Sequence, residues 1–211
     1  MSVSGIVGLA IAYVIGSFPS AYLAGRMVNG VDLRTTGSGN LGTSNVYREI
    51  GAVPALVVLL LDIAKGALPT MILPGLLGVG FTSATVAAWW AIGFGAAAIV
   101  GHAKPIFLLW KGGGKGVATA AGVFLSLTPI PALVGIAVFA IVVASTRFVS
   151  LASIIGALLL PVLEWIDAGL SPAFYASIAV AAFVVWSHRS NIVRLRAGTE
   201  RRFGRPGGRT P

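Results

Sequence analysis

"TVAAWWAIGFGAAAIVGHAKPIFLLWKGGGKGVATAAGVFLSL", residues 85–127, decides the fold class. An apolar run fills its first part and another closes it. Between them lie three of the chain's four lysines, one of its two histidines and three consecutive glycines. A helix needs about 20 mostly apolar residues to cross a bilayer core, so the first run reads as a span that ends in a cationic, glycine-rich loop at a membrane face. The second run, 117–127, is a short span that leads back from it.

The pattern repeats outward in both directions. Spans are expected near 3–24, 52–76, 85–101, 117–127, 131–145, 149–166 and 172–187, an all-α polytopic membrane protein with about seven transmembrane helices. Basic residues sort to one face: Arg26, Arg34 and Arg48 follow the first span, Lys104, Lys111 and Lys115 the third, Arg147 the fifth, and an arginine cluster from 189 to 209 the last. The opposite loops hold no basic residue and only Glu164 and Asp167. The excess of positive charge in cytoplasmic loops predicts an external N-terminus and a cytoplasmic C-terminus.

Composition agrees. The 211 residues are 56% hydrophobic and 10% charged, with a mean hydropathy of +0.92, far from the make-up of a soluble domain. Cysteine is absent, which excludes disulfides, thiolate metal sites and cysteine nucleophiles. The net charge of +9 sits in short loops between apolar runs, where anionic headgroups and orientation explain it, so no nucleic-acid partner is expected. Residues 1–18 lack a basic leader and Arg26 follows the apolar run, so the segment is expected to remain as the first membrane helix. Residues 1–200 form a single membrane domain, and "RRFGRPGGRTP", 201–211, reads as a basic, disordered tail beside an anionic leaflet.

Three clusters on the basic face carry the chemistry. In "DLRTTGSGNLGTSNVYRE", 32–49, Gly37, Gly39 and Gly42 let backbone amides approach an anion, Ser38, Asn40, Thr43, Ser44 and Asn45 add short polar groups, and Arg34 and Arg48 flank the run. Asn45 is placed to cap a helix beginning at Val46. In 101–122, His102, Lys104, Lys111 and Lys115 surround the glycines, and a helix starting near Gly116 would favour oxyanions. Leu109 and Gly116 stand where a nucleotide P-loop requires glycine and Ser or Thr, so this is not one. In "WSHRSNIVRLRAGTE", 186–200, helical spacing puts His188 and Asn191 on one face with Arg194 a turn further on. Within the membrane, Asp62 and Lys65 lie three apart on one helical face and read as an internal ion pair.

The six acids include no close pair on the basic face, the two histidines form no HExxH, and neither histidine begins an H-x-x-x-x-D box. No metal or other cofactor is expected. Cations, amides, hydroxyls and glycines suit the binding of phosphate-bearing molecules. A phosphate transporter would use a similar inventory, although no internal repeat is visible and the polar clusters sit at one face rather than at the midplane.

Together, "GSFP" (16–19), "DLRTTGSGNLGTSN" (32–45), "LDIAKG" (61–66), "GHAKPIF" and "KGGGKGVAT" (101–119), "SLAS" (150–153) and "HRSNIVRLRAGTE" (188–200) resemble the bacterial acyl-phosphate:glycerol-3-phosphate acyltransferase family. The resemblance implies a seven-helix enzyme of the inner membrane with its active site on the cytoplasmic side. It would move a fatty acyl group from acyl phosphate to the sn-1 hydroxyl of glycerol 3-phosphate, giving lysophosphatidic acid and inorganic phosphate. A soluble enzyme that makes acyl phosphate would be its metabolic neighbour. Ser38, Lys115, His188 and Asn191 are the expected catalytic residues. Gly37, Gly39, Asn40, Asn45, Arg48, His102, Lys104, Lys111 and Arg194 are the expected substrate contacts. The proton of the attacking hydroxyl would pass either to His188 or to a substrate phosphate. Two departures stand out: Gly112–Gly114 is one glycine longer than the family's K-G-G-K-G, and Ser44 replaces a threonine.

Overall fold

The computed structural model describes residues 3–79 and 83–204, and every regular element among them is helical. In chain order the α-helices are α1 (Val3–Gly16), α2 (Ser20–Asn29), α3 (Thr43–Ile50), α4 (Ala52–Leu76), α5 (Ala84–Ala103), α6 (Val117–Leu127), α7 (Pro129–Thr146), α8 (Val149–Ala168), α9 (Pro172–Ser187) and α10 (Arg189–Arg196), with one 3₁₀ turn at Ile106–Leu108 between α5 and α6. Among the described residues, five segments are long and apolar enough to cross a membrane: Val3–Asn29, Ala52–Leu76, Ala84–Leu108, Pro129–Thr146 and Val149–Ala168. α6 and α9 are apolar but shorter. The 11 residues of α6 rise only about 16 Å at 1.5 Å each, roughly half a hydrocarbon core.

The first span is not the single helix expected over 3–24. It breaks at Ser17–Pro19, because Pro19 has no N–H to donate and its ring disfavours helical geometry in the residue before it. The break frees the Phe18 carbonyl, which accepts a hydrogen bond from Lys65 Nζ at 3.2 Å. Lys65 also pairs with Asp62 at 2.9 Å, as the i,i+3 spacing predicts, and Ser20 Oγ at the start of α2 donates to the same carboxylate at 2.6 Å. The intramembrane charges therefore bolt α4 to the α1–α2 corner.

Glycine sets how closely the central helices pack. A Cβ on Gly16 would lie 2.1 Å from the Ala98 carbonyl oxygen, and one on Gly66 would lie 2.0 Å from that of Thr119. Backbones thus meet directly where α1 crosses α5 and α4 crosses α6, the small-residue packing favoured where lipid removes the hydrophobic drive. α7 packs mainly on α8, and α8 on α9. Glu164, expected at a loop boundary, is fully buried within α8 and accepts a hydrogen bond from Thr128 Oγ1 at 2.6 Å.

Residues 201–203, expected in a loose tail, pack back on the body. Phe203 N–H donates to the Arg147 carbonyl at 2.7 Å, the Phe203 ring stacks on Tyr47 of α3 at 4.4 Å, and Arg202 lies over Phe148. These aromatic partners are invisible in a reading of charge and glycine content alone. The rest of the expected tail, 205–211, lies outside the described residues.

Candidate active site

The three clusters converge on one cavity of about 840 Å³, with a polar mouth and an apolar arm. The mouth is built first by the loop between α2 and α3. Asp32 anchors its start: Arg34 donates to it through Nε at 3.0 Å and a terminal nitrogen at 2.7 Å, and Arg26 reaches it at 3.2 Å. The hydrogen bond from the Arg34 side chain holds the Asp32 carboxyl down at about 2. Arg34 is thereby committed to the scaffold and is absent from the cavity lining.

Gly37 and Gly39 take left-handed geometry, φ +66° and +70°, which lets the chain double back. Asn45 is not the cap of a helix starting at Val46. α3 begins at Thr43 after Gly42, and Asn45 is buried in its first turn. Its Oδ1 accepts from the Ser38 N–H at 2.9 Å, while Nδ2 donates to the carbonyls of Leu33 and Thr36. It fixes the glycine loop from behind, which presents Ser38 to the cavity.

The second loop is tied to the first where Leu41 N–H donates to the Gly113 carbonyl at 3.2 Å. Gly114 N–H donates to the His102 carbonyl, and a Cβ on Gly114 would lie 1.9 Å from His102 Nε2, so the loop lies directly against that imidazole. His102 lines the cavity but is buried, its Nδ1 3.8 Å from Asp62. Lys104 and Lys111 are exposed and are not brought to the cavity. The Lys104 carbonyl accepts from Tyr13 Oη, which in turn accepts from Trp110 Nε1, so residues 104–110 dock against α1 instead. Charge in the sequence signalled four cationic groups here without giving their directions.

Lys115 alone of these lysines enters the mouth, where Nζ donates to Asn191 Oδ1. Burial pushes the Lys115 ammonium down to about 8, with Arg194 and Arg48 acting in the same sense against Glu200. His188, at the α9–α10 junction, is buried; its Nδ1 lies 2.8 Å from the Val184 carbonyl, so that nitrogen carries the proton and Nε2 keeps its lone pair. Burial, aided by Lys115, lowers His188 to about 4. Arg48 lines the mouth with its buried Nε unpartnered, and the hydroxyl of Thr43, which also lines the cavity, is buried and unpartnered too. Burial, with Arg201 nearby, moves the Arg48 guanidinium below its ordinary value.

Sequence reasoning missed Glu200. Gly198 turns the chain with φ +68°, which brings Glu200 back under α10. There it accepts from Ser150 Oγ at 2.7 Å, Asn191 Nδ2 at 2.6 Å and Arg194 Nε at 2.7 Å. Although burial opposes ionisation, these three donors win and keep the carboxyl below its ordinary value. The signal available was the run Asn191…Arg194…Glu200 beside a glycine. Among the described residues no group of three or more His, Cys, Asp or Glu is placed to hold a metal ion.

The arm extends from this mouth between α4, α6, α7, α8 and α9, past Ile63, Phe124, Ile136, Phe139, Ala157 and Leu160. A cationic mouth joined to an apolar arm suits a phosphate attached to a hydrocarbon chain.

Residues 6–198 match the family model described as glycerol-3-phosphate acyltransferase. The chain belongs to the glycerol-3-phosphate acyltransferase family. A family member of this name from Synechococcus sp. (strain CC9902) is 44% identical over 98% of this chain and 99% of its own. One from Thermosynechococcus vestitus is 41% identical over 97% and 98%. Crystal structures of PlsY, an integral membrane glycerol 3-phosphate acyltransferase, superpose with TM-scores of 0.85 for the glycerol 3-phosphate form and 0.82 for the lysophosphatidic acid form. Identity is 34% and 33%, over 95% of this chain and 96% of theirs in both cases. This family member is thus an integral membrane protein of the acyltransferases that serve phospholipid biosynthesis.

Proposed function

We propose that this protein transfers a fatty acyl group from acyl phosphate to the sn-1 hydroxyl of glycerol 3-phosphate, releasing lysophosphatidic acid and inorganic phosphate. The observation that carries this reading is the continuity of the cavity: Ser38, Arg48, Lys115 and Arg194 line one end, and Phe124, Phe139 and Leu160 line the other. An acyl phosphate would lay its chain in the arm and its phosphate in the mouth. The hydroxyl oxygen of glycerol 3-phosphate attacks the carbonyl carbon, the bond from that carbon to the phosphate oxygen breaks, and phosphate leaves with the electron pair.

Ser38 with the Gly37 and Gly39 segment, and Lys115, stabilise the donor phosphate and the oxyanion. Arg48, whose Nε has no protein partner, takes the second phosphate. Asn191 acts by holding Lys115 in place, since its amide already joins Lys115 to Glu200. His188 at about 4 is a weak base at neutral pH, so the proton passes to a phosphate oxygen of the substrate while His188 positions glycerol 3-phosphate. Gly39, Asn40 and Asn45 shape the phosphate cradle. The donor is already activated, so orienting two anions and screening their repulsion supplies much of the acceleration.

We further assign seven membrane segments, counting α6 and α9, with the N-terminus outside and the active site facing the cytoplasm across the inner membrane. The sorting of basic residues supports this. A soluble acyl-phosphate-forming enzyme then supplies the donor. The test is release of inorganic phosphate by reconstituted protein given palmitoyl phosphate with and without glycerol 3-phosphate, with palmitoyl-CoA as the control donor. Release that requires glycerol 3-phosphate and fails with the CoA donor is expected. Turnover with palmitoyl-CoA alone would replace the donor assignment, and no turnover from folded protein would remove the reaction.

A further inference from the structure

Glycine has two different functions inside these helices. At Gly66 and Gly122 an added Cβ would meet a backbone oxygen at 2.0 Å, so glycine is required for helix contact. At Gly135, in the interior of α7, an added Cβ would meet no described atom within 4 Å beyond its chain neighbours and the backbone of its own helix, although the residue lines the cavity. Glycine weakens a helix interior relative to alanine, and packing gives no reason for it at this position. The free volume itself is the feature that needs explaining.

The position is well defined along the arm. α7 contributes Val143, Phe139, Ile136, Gly135 and Ala132 to the lining, and α8 contributes Val149, Ser153, Gly156, Ala157 and Leu160. A Cβ on Gly156 would stand 3.7 Å from the Gly135 carbonyl oxygen, which fixes the antiparallel register. Val143 then lies level with Val149 near the mouth, and Ala132 level with Leu160 at the far end. Gly135 and Ala157 sit between, beyond Phe139. From Ser150, which touches Glu200, to Leu160 the arm runs about 15 Å at 1.5 Å per residue.

We propose that Gly135 sets the length of acyl chain that this enzyme accepts, because a side chain there closes the arm beyond the Gly135–Gly156 level and leaves the phosphate mouth intact. The inference rests on the acyl-transfer reading above. Gly135→Leu reconstituted in lipid should lower the ratio of kcat/KM for palmitoyl phosphate to that for octanoyl phosphate by about tenfold or more, the scale of discrimination that a methylene or two gives in an apolar pocket. KM for glycerol 3-phosphate should stay unchanged. Ala157→Leu, on the opposite wall, should shift the ratio in the same direction, and Gly75→Leu, exposed on α4 and outside the cavity, should not. An unchanged ratio in folded Gly135→Leu and Ala157→Leu would overturn the proposal.

If wild-type protein turns over no acyl phosphate, the acyl-transfer reading fails separately. Binding of octanoyl and palmitoyl lysophosphatidate then reports on the arm, with loss of the long-chain advantage in Gly135→Leu expected and equal profiles overturning the proposal. Should the variants not fold, wild-type protein labelled with a lysophosphatidate carrying a diazirine at the chain end decides it. Adducts within 132–136 or 156–160 are expected, and adducts confined elsewhere would overturn it.

Discussion

Asp62 and Glu200 are both carboxylates surrounded by cations and hydroxyls, and both line the same cavity, yet they differ in what they leave free. Asp62 accepts from Ser20 and pairs with Lys65, whose remaining reach is taken by the Phe18 carbonyl, so the group closes on itself between α2 and α4. Glu200 gathers Ser150, Asn191 and Arg194, and through Asn191 it orients Lys115, whose ammonium faces a cavity rather than a carboxylate. A closed ion pair holds helices together. An open one holds a cation ready for a ligand, and it keeps part of its desolvation penalty, visible in the lowered Lys115.

The sharpest way to break this contrast is to remove one half of the closed pair. Asp62→Leu leaves the Lys65 ammonium buried without a counter-charge and should destabilise by about 3–5 kcal/mol, read as a fall in the detergent unfolding midpoint. Adding Lys65→Met should recover most of the loss, because both charges are then gone. A double variant no better than the single one would mean that Asp62 matters for something beyond pairing.

The open cluster should respond in rate. Lys115→Ala should lower kcat/KM by about 10²–10³ in the phosphate-release assay, the scale for removing one oxyanion-stabilising donor, with the unfolding midpoint nearly unmoved. Its pH dependence has a definite sign. The folded value of about 8 lies below the ordinary 10.5, so the ammonium is present at neutral pH and activity that needs it falls as pH rises through about 8. Stability moves the other way over that window: from about 8 to 10.5 the unfolded chain binds more protons, so folding strengthens as pH rises. His188, at about 4, stays neutral from pH 5 to 8 and contributes no limb there. A Lys115→Ala enzyme with wild-type kinetics would remove the assignment.

Glu200→Gln should fall between these cases, because it keeps the shape while weakening three hydrogen bonds, two of them from neutral donors. A loss of about 1.5–3 kcal/mol, divided between stability and kcat/KM, is the expected scale for bonds to a charged acceptor. If Glu200 acts on Lys115, the variant should also shift the alkaline limit of the rate profile to lower pH than in wild type, since the carboxylate that favours the ammonium is gone. An unshifted limit with only a lower unfolding midpoint would assign Glu200 to structure alone.

How much of this was legible in the sequence follows from the range of each interaction. The Asp62–Lys65 pair is three residues apart on one helix, and it was read directly. The start of α6 after Gly116, and the face shared by His188 and Asn191, also follow from local spacing. The break at Ser17–Pro19 was missed because apolar composition outweighed one proline, although the partner that makes the break tolerable, Lys65, is 47 residues from Phe18. Glu200 was missed because its position depends on a turn at Gly198 and on Ser150, 50 residues away on another helix. Asn45 was assigned to capping because the loop it holds, at Leu33, Thr36 and Ser38, lies behind it in space.

The smallest expected effect tests that lesson most directly. Lys111 and Lys115 stand four residues apart in one glycine run, and composition gives no reason to prefer either as a phosphate ligand. The fold separates them: the positive φ of Leu109 and Trp110 turns the chain so that Lys111 stays exposed, while the left-handed Gly116 at the start of α6 brings Lys115 inward to Asn191. An exposed ammonium outside the cavity acts only through screened, long-range attraction. Lys111→Ala should therefore change kcat/KM by about twofold or less, mostly through KM, with the difference fading as salt is raised. A loss matching that of Lys115→Ala, and persisting in high salt, would show that the longer glycine run lets Lys111 reach the substrate and that the two lysines share the mouth.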